Sequence, residues 1–206
     1  MKISTWNVNS VNARIEHLEK FIKKDQSDIY LLQELKTIED GFPKEIIKNA
    51  GYYSYVNGQK AWNGVAILSK EKLEITNTSI PKYDDPNARF IETEIQLKKI
   101  KKNIKLINIY LPNGNPIETE KFDYKIKWMK KFNSYIQELK DNNIPIIISG
   151  DFNIIPTDDD VYSPENFKND ACAHPLTREQ YRILINMGFT DLVKHFVEGK
   201  TNWTFW

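Results

Sequence analysis

The chain has 206 residues, 40% hydrophobic and 28% charged, which suits one large domain or two small ones and excludes a disordered or fibrous protein. Lysine and arginine number 29 against 28 aspartates and glutamates, so the net charge of +1 gives no global basic bias, and any nucleic-acid footprint must come from local clustering. The single cysteine, Cys172, excludes a disulfide framework. No apolar run approaches the ~20 residues that span a bilayer, and Met1 to Asn7 lacks the order of a signal peptide, so a cytoplasmic protein without membrane contact is expected.

In chain order, the first apolar run, Ile3–Asn7, reads as a strand. Arg14–Lys24 reads as a helix, with Ile15, Leu18, Phe21 and Ile22 on one face. A strand over Asp28–Glu34 and a short helix over Lys44–Ala50, stopped by Gly51, come next. Strands follow at Tyr52–Val56, Gly64–Ser69, Leu73–Thr76, Arg89–Leu97 and Ile104–Leu111. The Lys98 to Asn103 run between the last two reads as a solvated hairpin turn. Thr119–Lys140 presents Phe122, Ile126, Met129, Phe132, Ile136 and Leu139 as one helical stripe, and Ile144–Gly150 is a strand. Arg178–Met187 is a helix with Thr177 as N-cap, Gln180 completing a capping box, and Gly188 at its end. Several strands run on without an intervening helix, which predicts a mixed α/β layered fold with much antiparallel pairing.

Polar groups fall at the strand ends. Asn7, Glu34, Tyr110 and Asp151 each close an apolar run, with Asn153 just beyond. Side chains alternate faces along a strand, which groups Ile3, Thr5 and Asn7, then Tyr30, Leu32 and Glu34, then Leu106, Asn108 and Tyr110, then Ile147, Ser149, Asp151 and Asn153. If these strands lie in two packed sheets, one rim collects two carboxylates, two carboxamides and a phenol. A hard divalent cation takes oxygen ligands and needs only one or two carboxylates besides substrate phosphate, which makes Glu34 the first ligand candidate and Asn7 its neighbour. Asp151 suits proton handling and Asn153 the stabilisation of negative charge. Each also has a plainer reading: Glu34 as a solvated strand end, Gly150 to Asn153 as an Asx-turn, Tyr110 as a core tyrosine, and Asn7 as a cap on the following turn.

At these residues the sequence resembles the exonuclease III family of DNA-repair nucleases, within the endonuclease/exonuclease/phosphatase superfamily. The matching segments are Ile3 to Asn9, Leu31 to Lys36, Asn57 to Ser69, Asn108 to Gly114, Ser149 to Ile154 and Thr204 to Trp206. The resemblance implies a four-layer α/β/β/α sandwich of the DNase I-like type, as a single domain over residues 1–206. It implies a phosphodiesterase dependent on Mg²⁺ or Mn²⁺ that acts on double-stranded DNA, 5′ to abasic sites and at 3′ ends, and that is monomeric when complete. It assigns Glu34 and Asn7 to the metal, and Tyr110, Asp151 and Asn153 to catalysis around the scissile phosphate. Arg89, Phe205 and Trp206 are assigned to DNA contact.

The family's pattern continues past the position of Trp206 with further strands and a Ser-Asp-His motif, and His17, His174 and His195 stand in no matching context. The fold is therefore expected to be incomplete at its C-terminal end, and these residues alone to be weakly active or inactive. Two other readings use the same residues: a DNA-binding remnant without activity, and a superfamily phosphodiesterase acting on a phosphoester outside nucleic acids.

Overall fold

A computed structural model describes residues 1–97, 101–196 and 203, in two compact units. The first unit, Met1–Tyr110 with Asn143–Phe152, holds the eight strands found among the described residues. One sheet has the order β1-β2-β4-β3, from β1 (Ile3–Asn7), β2 (Ile29–Gln33), β3 (Tyr53–Asn57) and β4 (Val65–Ser69). In it β1 and β2 are parallel and the other pairs antiparallel. The second sheet has the order β5-β6-β7-β8, from β5 (Ile75–Asn77), β6 (Phe90–Leu97), β7 (Lys102–Tyr110) and β8 (Ile146–Asp151), with only β7 and β8 parallel.

The two sheets pack against each other through an apolar layer containing Ile29, Leu31, Val65, Ile67, Ile91 and Leu106. On its other face the first sheet is covered by α1 (Ile15–Asp25) and α2 (Lys44–Asn49), where Tyr30, Leu32, Leu18, Ile22 and Ile47 form a second cluster. Strand β2 is thus covered on both sides, which is why Ile-Tyr-Leu-Leu-Gln is apolar nearly throughout and wholly buried. Helix α1 ends where Gln26 turns left-handed (φ 53°) and donates its N–H to the Ile22 carbonyl.

The inter-sheet layer is not wholly apolar. Asn108 on β7 donates its amide to the carbonyls of Leu32 (3.0 Å) and Ala66 (2.9 Å) in the opposite sheet. It accepts from the Gln33 amide at 2.7 Å, and that same nitrogen lies within hydrogen-bond distance of the Thr5 hydroxyl and the Leu31 carbonyl. Both side chains are buried, so these bonds cancel a desolvation cost that neither amide could bear alone.

A polar clasp ties the end of α1 to the start of β1. Asp25 accepts from the Lys2 ammonium (2.5 Å) and from the hydroxyls of Ser27 (2.5 Å) and Ser4 (3.0 Å). The Lys2 ammonium first, and then the two serines, hold the Asp25 carboxyl well below the usual range. Its folded pKa lies below its unfolded one, so its stabilising effect is complete above the unfolded value of about 3.9 and is lost as pH falls through that value toward the folded one. Asp25→Asn is expected to lower the melting temperature at neutral pH, by an amount that shrinks at about pH 3 and below. A deficit of equal size at both pH values would remove the clasp from the stability account.

The second unit, Leu111–Asn142 with Asn153–Trp206, is helical among its described residues. Its elements are α3 (Glu120–Asp141), α4 (Pro175–Asn186), the short α5 (Leu192–Phe196) and two 3-10 turns. α3 and α4 pack on each other, and buried Asn133 donates to the Gln180 carbonyl at 3.0 Å. The capping box expected at Thr177 does not form. Pro175 opens the helix two residues earlier, His174 is the N-cap through its Nδ1, and Thr177 is buried with its hydroxyl on the Ala171 carbonyl. Proline has no N–H to satisfy at a first turn, which is why the helix starts there. The α3 stripe is wider than its sequence spacing suggests, taking in Lys125, Trp128, Asn133 and Tyr135, while Ile126 is only half-buried. The turn expected from Lys98 to Asn103 falls partly on residues 98–100, outside the described residues; Lys102 already pairs with Leu97. No helix of the described residues is long and apolar enough to cross a membrane.

Candidate active site

Of the five residues expected at the metal and the scissile phosphate, Asn7, Glu34, Tyr110 and Asp151 belong to the first unit, and it brings them together. β1 and β2 end side by side, with Asn7 opposite Gln33, and β7 and β8 do the same, with Tyr110 opposite Asp151. Each pair is parallel, so its carboxyl ends share one edge of the sheet. Asn7 donates its side-chain amide to Asp151 Oδ2 at 2.7 Å, joining the two sheets at that edge. Its own amide oxygen accepts from the Asn9 N–H at 3.0 Å, so Asn7 also caps the turn that follows.

Glu34 reaches this edge by a route that strand parity does not give. Tyr30 and Leu32 point into the cluster under α1, and continued alternation would send Glu34 the same way. Instead β2 stops at Gln33, and Glu34 takes a left-handed backbone (φ 54°). A non-glycine residue there is strained, and neighbouring backbone bonds hold it in place. The Ser10 N–H donates to the Glu34 carbonyl (2.7 Å), the Leu35 N–H to Gly64 (3.2 Å), and the Lys36 N–H to Asn63 (2.9 Å). The turn swings the carboxylate toward the inter-sheet side, where the Tyr110 hydroxyl donates to Glu34 Oε1 in a short hydrogen bond.

The electrostatics follow from these contacts. Burial by itself would push Glu34 up, but the Tyr110 hydroxyl, the Asn7 amide and the Lys36 ammonium outweigh it and hold the carboxyl below its usual range. Burial, and then the Glu34 carboxylate, push the Tyr110 hydroxyl well above the usual phenol range, so it remains a proton donor. The Lys36 ammonium lies 3.2 Å from Glu34 Oε2, at 29% side-chain exposure against 19% for Glu34, which is therefore no solvated strand end.

The donor set fits a hard divalent cation. It consists of the Glu34 and Asp151 carboxylates, both oxygen donors, bridged by the Asn7 carboxamide, whose oxygen accepts from the Asn9 N–H, and a positive group already rests on Glu34. Among the described residues no three acidic, histidine or cysteine side chains gather into a cage, so a cation here would keep water or substrate oxygens in its shell.

Arg89 braces the phenol. Its guanidinium donates to the Tyr110 carbonyl at 3.1 Å and lies 4.9 Å from the centre of the Tyr110 ring. Asn153 belongs to the second unit. Its amide donates to the Leu111 carbonyl at 2.8 Å, and its own carbonyl accepts from the ammonium of Lys125, a wholly buried side chain that also holds the Pro112 carbonyl. Phe205 and Trp206 lie outside the described residues.

Sequence reasoning missed three supporting groups: Lys36 on the Glu34 carboxylate, the buried Gln33–Asn108 bridge, and Lys125 beneath Asn153. The available signals were the lysine two residues after Glu34 and the amides inside otherwise apolar strands. A lysine inside an apolar helical stripe gave no cue to its carbonyl partners.

Comparisons with known proteins show the family of the chain. The family model described as "Endonuclease/Exonuclease/phosphatase family" matches residues 4–206. Exodeoxyribonuclease III of Haemophilus influenzae is 35% identical over 203 residues, covering 93% of this chain and 74% of that protein. Among solved structures, an AP endonuclease from Archaeoglobus fulgidus superposes with a TM-score of 0.91 at 31% identity, over 100% of this chain and 78% of that one. The 3′ phosphatase NExo from Neisseria, bound to a product DNA hairpin, gives 0.88 at 31% identity, over 97% and 76%. With the α/β sandwich of the DNase I-like type, and a strand-end constellation of a carboxylate, a phenol and an amide–carboxylate pair, the chain belongs to the endonuclease/exonuclease/phosphatase family, among its DNA-repair nucleases of the exodeoxyribonuclease III and AP endonuclease kind.

Proposed function

We propose that this chain hydrolyses phosphodiester bonds of double-stranded DNA 5′ to abasic sites and at 3′ ends, with Mg²⁺ or Mn²⁺ as its metal. One observation carries the reading: Glu34, held ionised by Tyr110, Asn7 and Lys36, shares an edge with the hydrogen-bonded pair Asn7–Asp151. That edge offers a site for a cation and, beside it, a second carboxylate able to move a proton.

Nucleases of this family depend on a divalent metal. Here Glu34 and Asn7 would hold it, and when bound it would neutralise charge building up at phosphorus. The remaining work is assigned to side chains. Tyr110 fixes the Glu34 carboxylate by donating to it, and Arg89 fixes Tyr110. Asp151, oriented by the Asn7 amide, takes a proton from the attacking water or returns one to the departing sugar oxygen. Asn153 steadies the phosphate. Arg89, Phe205 and Trp206 are assigned to DNA contact.

The test is incision of an end-labelled duplex carrying one abasic site, under single-turnover conditions with protein in excess. Cleavage on the 5′ side of the site that needs Mg²⁺ or Mn²⁺ and stops with chelator is the expected result. Equal cleavage with and without chelator would refute the reading, as would an absence of metal-dependent cleavage on abasic, nicked and 3′-recessed duplexes alike.

A further inference from the structure

Trp62 is 69% exposed, and its fellow exposed aromatics in the described part of the chain all have a partner. Tyr53 lies under the Lys72 ammonium, Tyr162 against Trp203, and Phe196 against His195. Trp62 touches no ring and no cation among the described residues. A single exposed aromatic is ordinary on a protein surface; what sets this one apart is the loop around it.

The loop that carries it is built to hold it there. Asn63, buried, donates its amide to Gln59 Oε1 (2.9 Å) and Asn87 Oδ1 (3.2 Å), and the Ala88 N–H donates to the same Gln59 oxygen at 3.0 Å. Ala61 (φ 66°) and Asn63 (φ 56°), on either side of Trp62, both take left-handed backbones. Gly58 packs so tightly on the Thr37 carbonyl that a Cβ would come within 2.5 Å of it. A segment with this many internal bonds, and with strain on both sides of one exposed side chain, presents that side chain rather than letting it collapse.

The loop also adjoins the candidate site. The Asn63 carbonyl accepts from the Lys36 N–H, and the Lys36 ammonium sits on Glu34. Lys60, exposed, lies two residues before Trp62. An exposed indole on a loop that also carries Lys60 matches the chemistry of a nucleobase and its phosphate: a flat π-face and an anion joined to it. A base inside continuous duplex has both faces covered by its neighbours. The indole therefore needs a base with one free face.

We propose that Trp62 is a stacking platform for a nucleobase bordering an interruption of the duplex, and so discriminates broken or base-less DNA from intact helix. The proposal rests on the reading of the chain as a DNA nuclease and adds a recognition element to it. The experiment uses three probes without metal: an unbroken DNA hairpin whose two ends are closed by aromatic linkers stacked on the terminal base pairs, the same hairpin with a stable abasic analogue in its stem, and a single strand of equal length. Affinity is followed by anisotropy and contact by tryptophan fluorescence. The abasic hairpin and the single strand are expected to quench the wild-type fluorescence, and the unbroken hairpin to leave it nearly unchanged. Trp62→Ala is expected to lose that quenching and to bind the abasic hairpin about tenfold more weakly. The same variant should bind the unbroken hairpin as the wild type does, and Trp62→Phe should keep most of the discrimination. An exposed position lets both variants keep the wild-type melting temperature. Equal affinity of Trp62→Ala and wild type for the abasic hairpin overturns the proposal while leaving the nuclease reading standing. Failure of the wild type to bind any of the three probes at low salt removes the nuclease reading itself, and the platform with it.

Discussion

Glu34→Gln is expected to reduce metal-dependent cleavage by about a hundredfold or more, and to weaken Mn²⁺ binding measured by titration, while the protein stays folded. The substitution keeps the shape, and the glutamine carbonyl can still accept from Tyr110. What disappears is the charge that would attract a cation, and in place of Oε2 an amide N–H now faces the Lys36 ammonium, donor against donor. Melting temperature should change by only a few degrees, because removing a half-buried charge relieves desolvation as it loses the Lys36 contact. A large loss of activity with little loss of stability separates a functional carboxylate from a structural one. Cleavage within threefold of wild type, or unchanged Mn²⁺ affinity, would take Glu34 out of the metal site. Tyr110→Phe provides a graded companion: it leaves Glu34 its charge but removes a donor, so its loss should be smaller than that of Glu34→Gln.

How much of this was legible in the sequence depended on how local each cause was. The apolar runs of β1, β2, β4, β7 and β8 gave strands within two residues of their actual ends, most cleanly at β2 and β4, where burial throughout leaves little choice of residue. Parity carried Asn7, Tyr110 and Asp151 to the correct side. It failed at Glu34, whose side chain is aimed by a left-handed turn held by Ser10, Asn63 and Gly64, three residues that no period of two connects to it. Likewise Thr177 reads as an N-cap on local grounds alone, and only the structure shows it spent on the Ala171 carbonyl. Bonds between residues distant in sequence, such as Asn7 to Asp151, stay invisible until the chain is folded.

The Gln33–Asn108 bridge is the clearest such case, and Asn108→Leu is expected to destabilise the protein by about 3 kcal/mol. Leucine shares the branched outline of asparagine, though it is bulkier, and its apolar surface would suit the surrounding Ile, Leu and Val side chains, so simple apolar bookkeeping favours the change. The buried hydrogen bonds argue the other way. The variant would strip one donor each from the Leu32 and Ala66 carbonyls and remove the nearest of the three acceptors around the Gln33 amide, inside a layer of buried side chains. Each such loss costs about 1–3 kcal/mol, and the transfer gain of the leucine offsets only part of the sum. The effect should reach the site as well, since Asn108 lies two residues before Tyr110 and Gln33 directly precedes Glu34. The loss of activity should therefore exceed the fraction unfolded under assay conditions. Urea unfolding with an unchanged slope gives the stability term. Adding Gln33→Leu to Asn108→Leu should cost less than the sum of the two single changes, because the pair is then removed together. A deficit under about 1 kcal/mol for Asn108→Leu would mean that the layer tolerates the lost amides, and that the convergence of Tyr110 on Glu34 is set by packing alone.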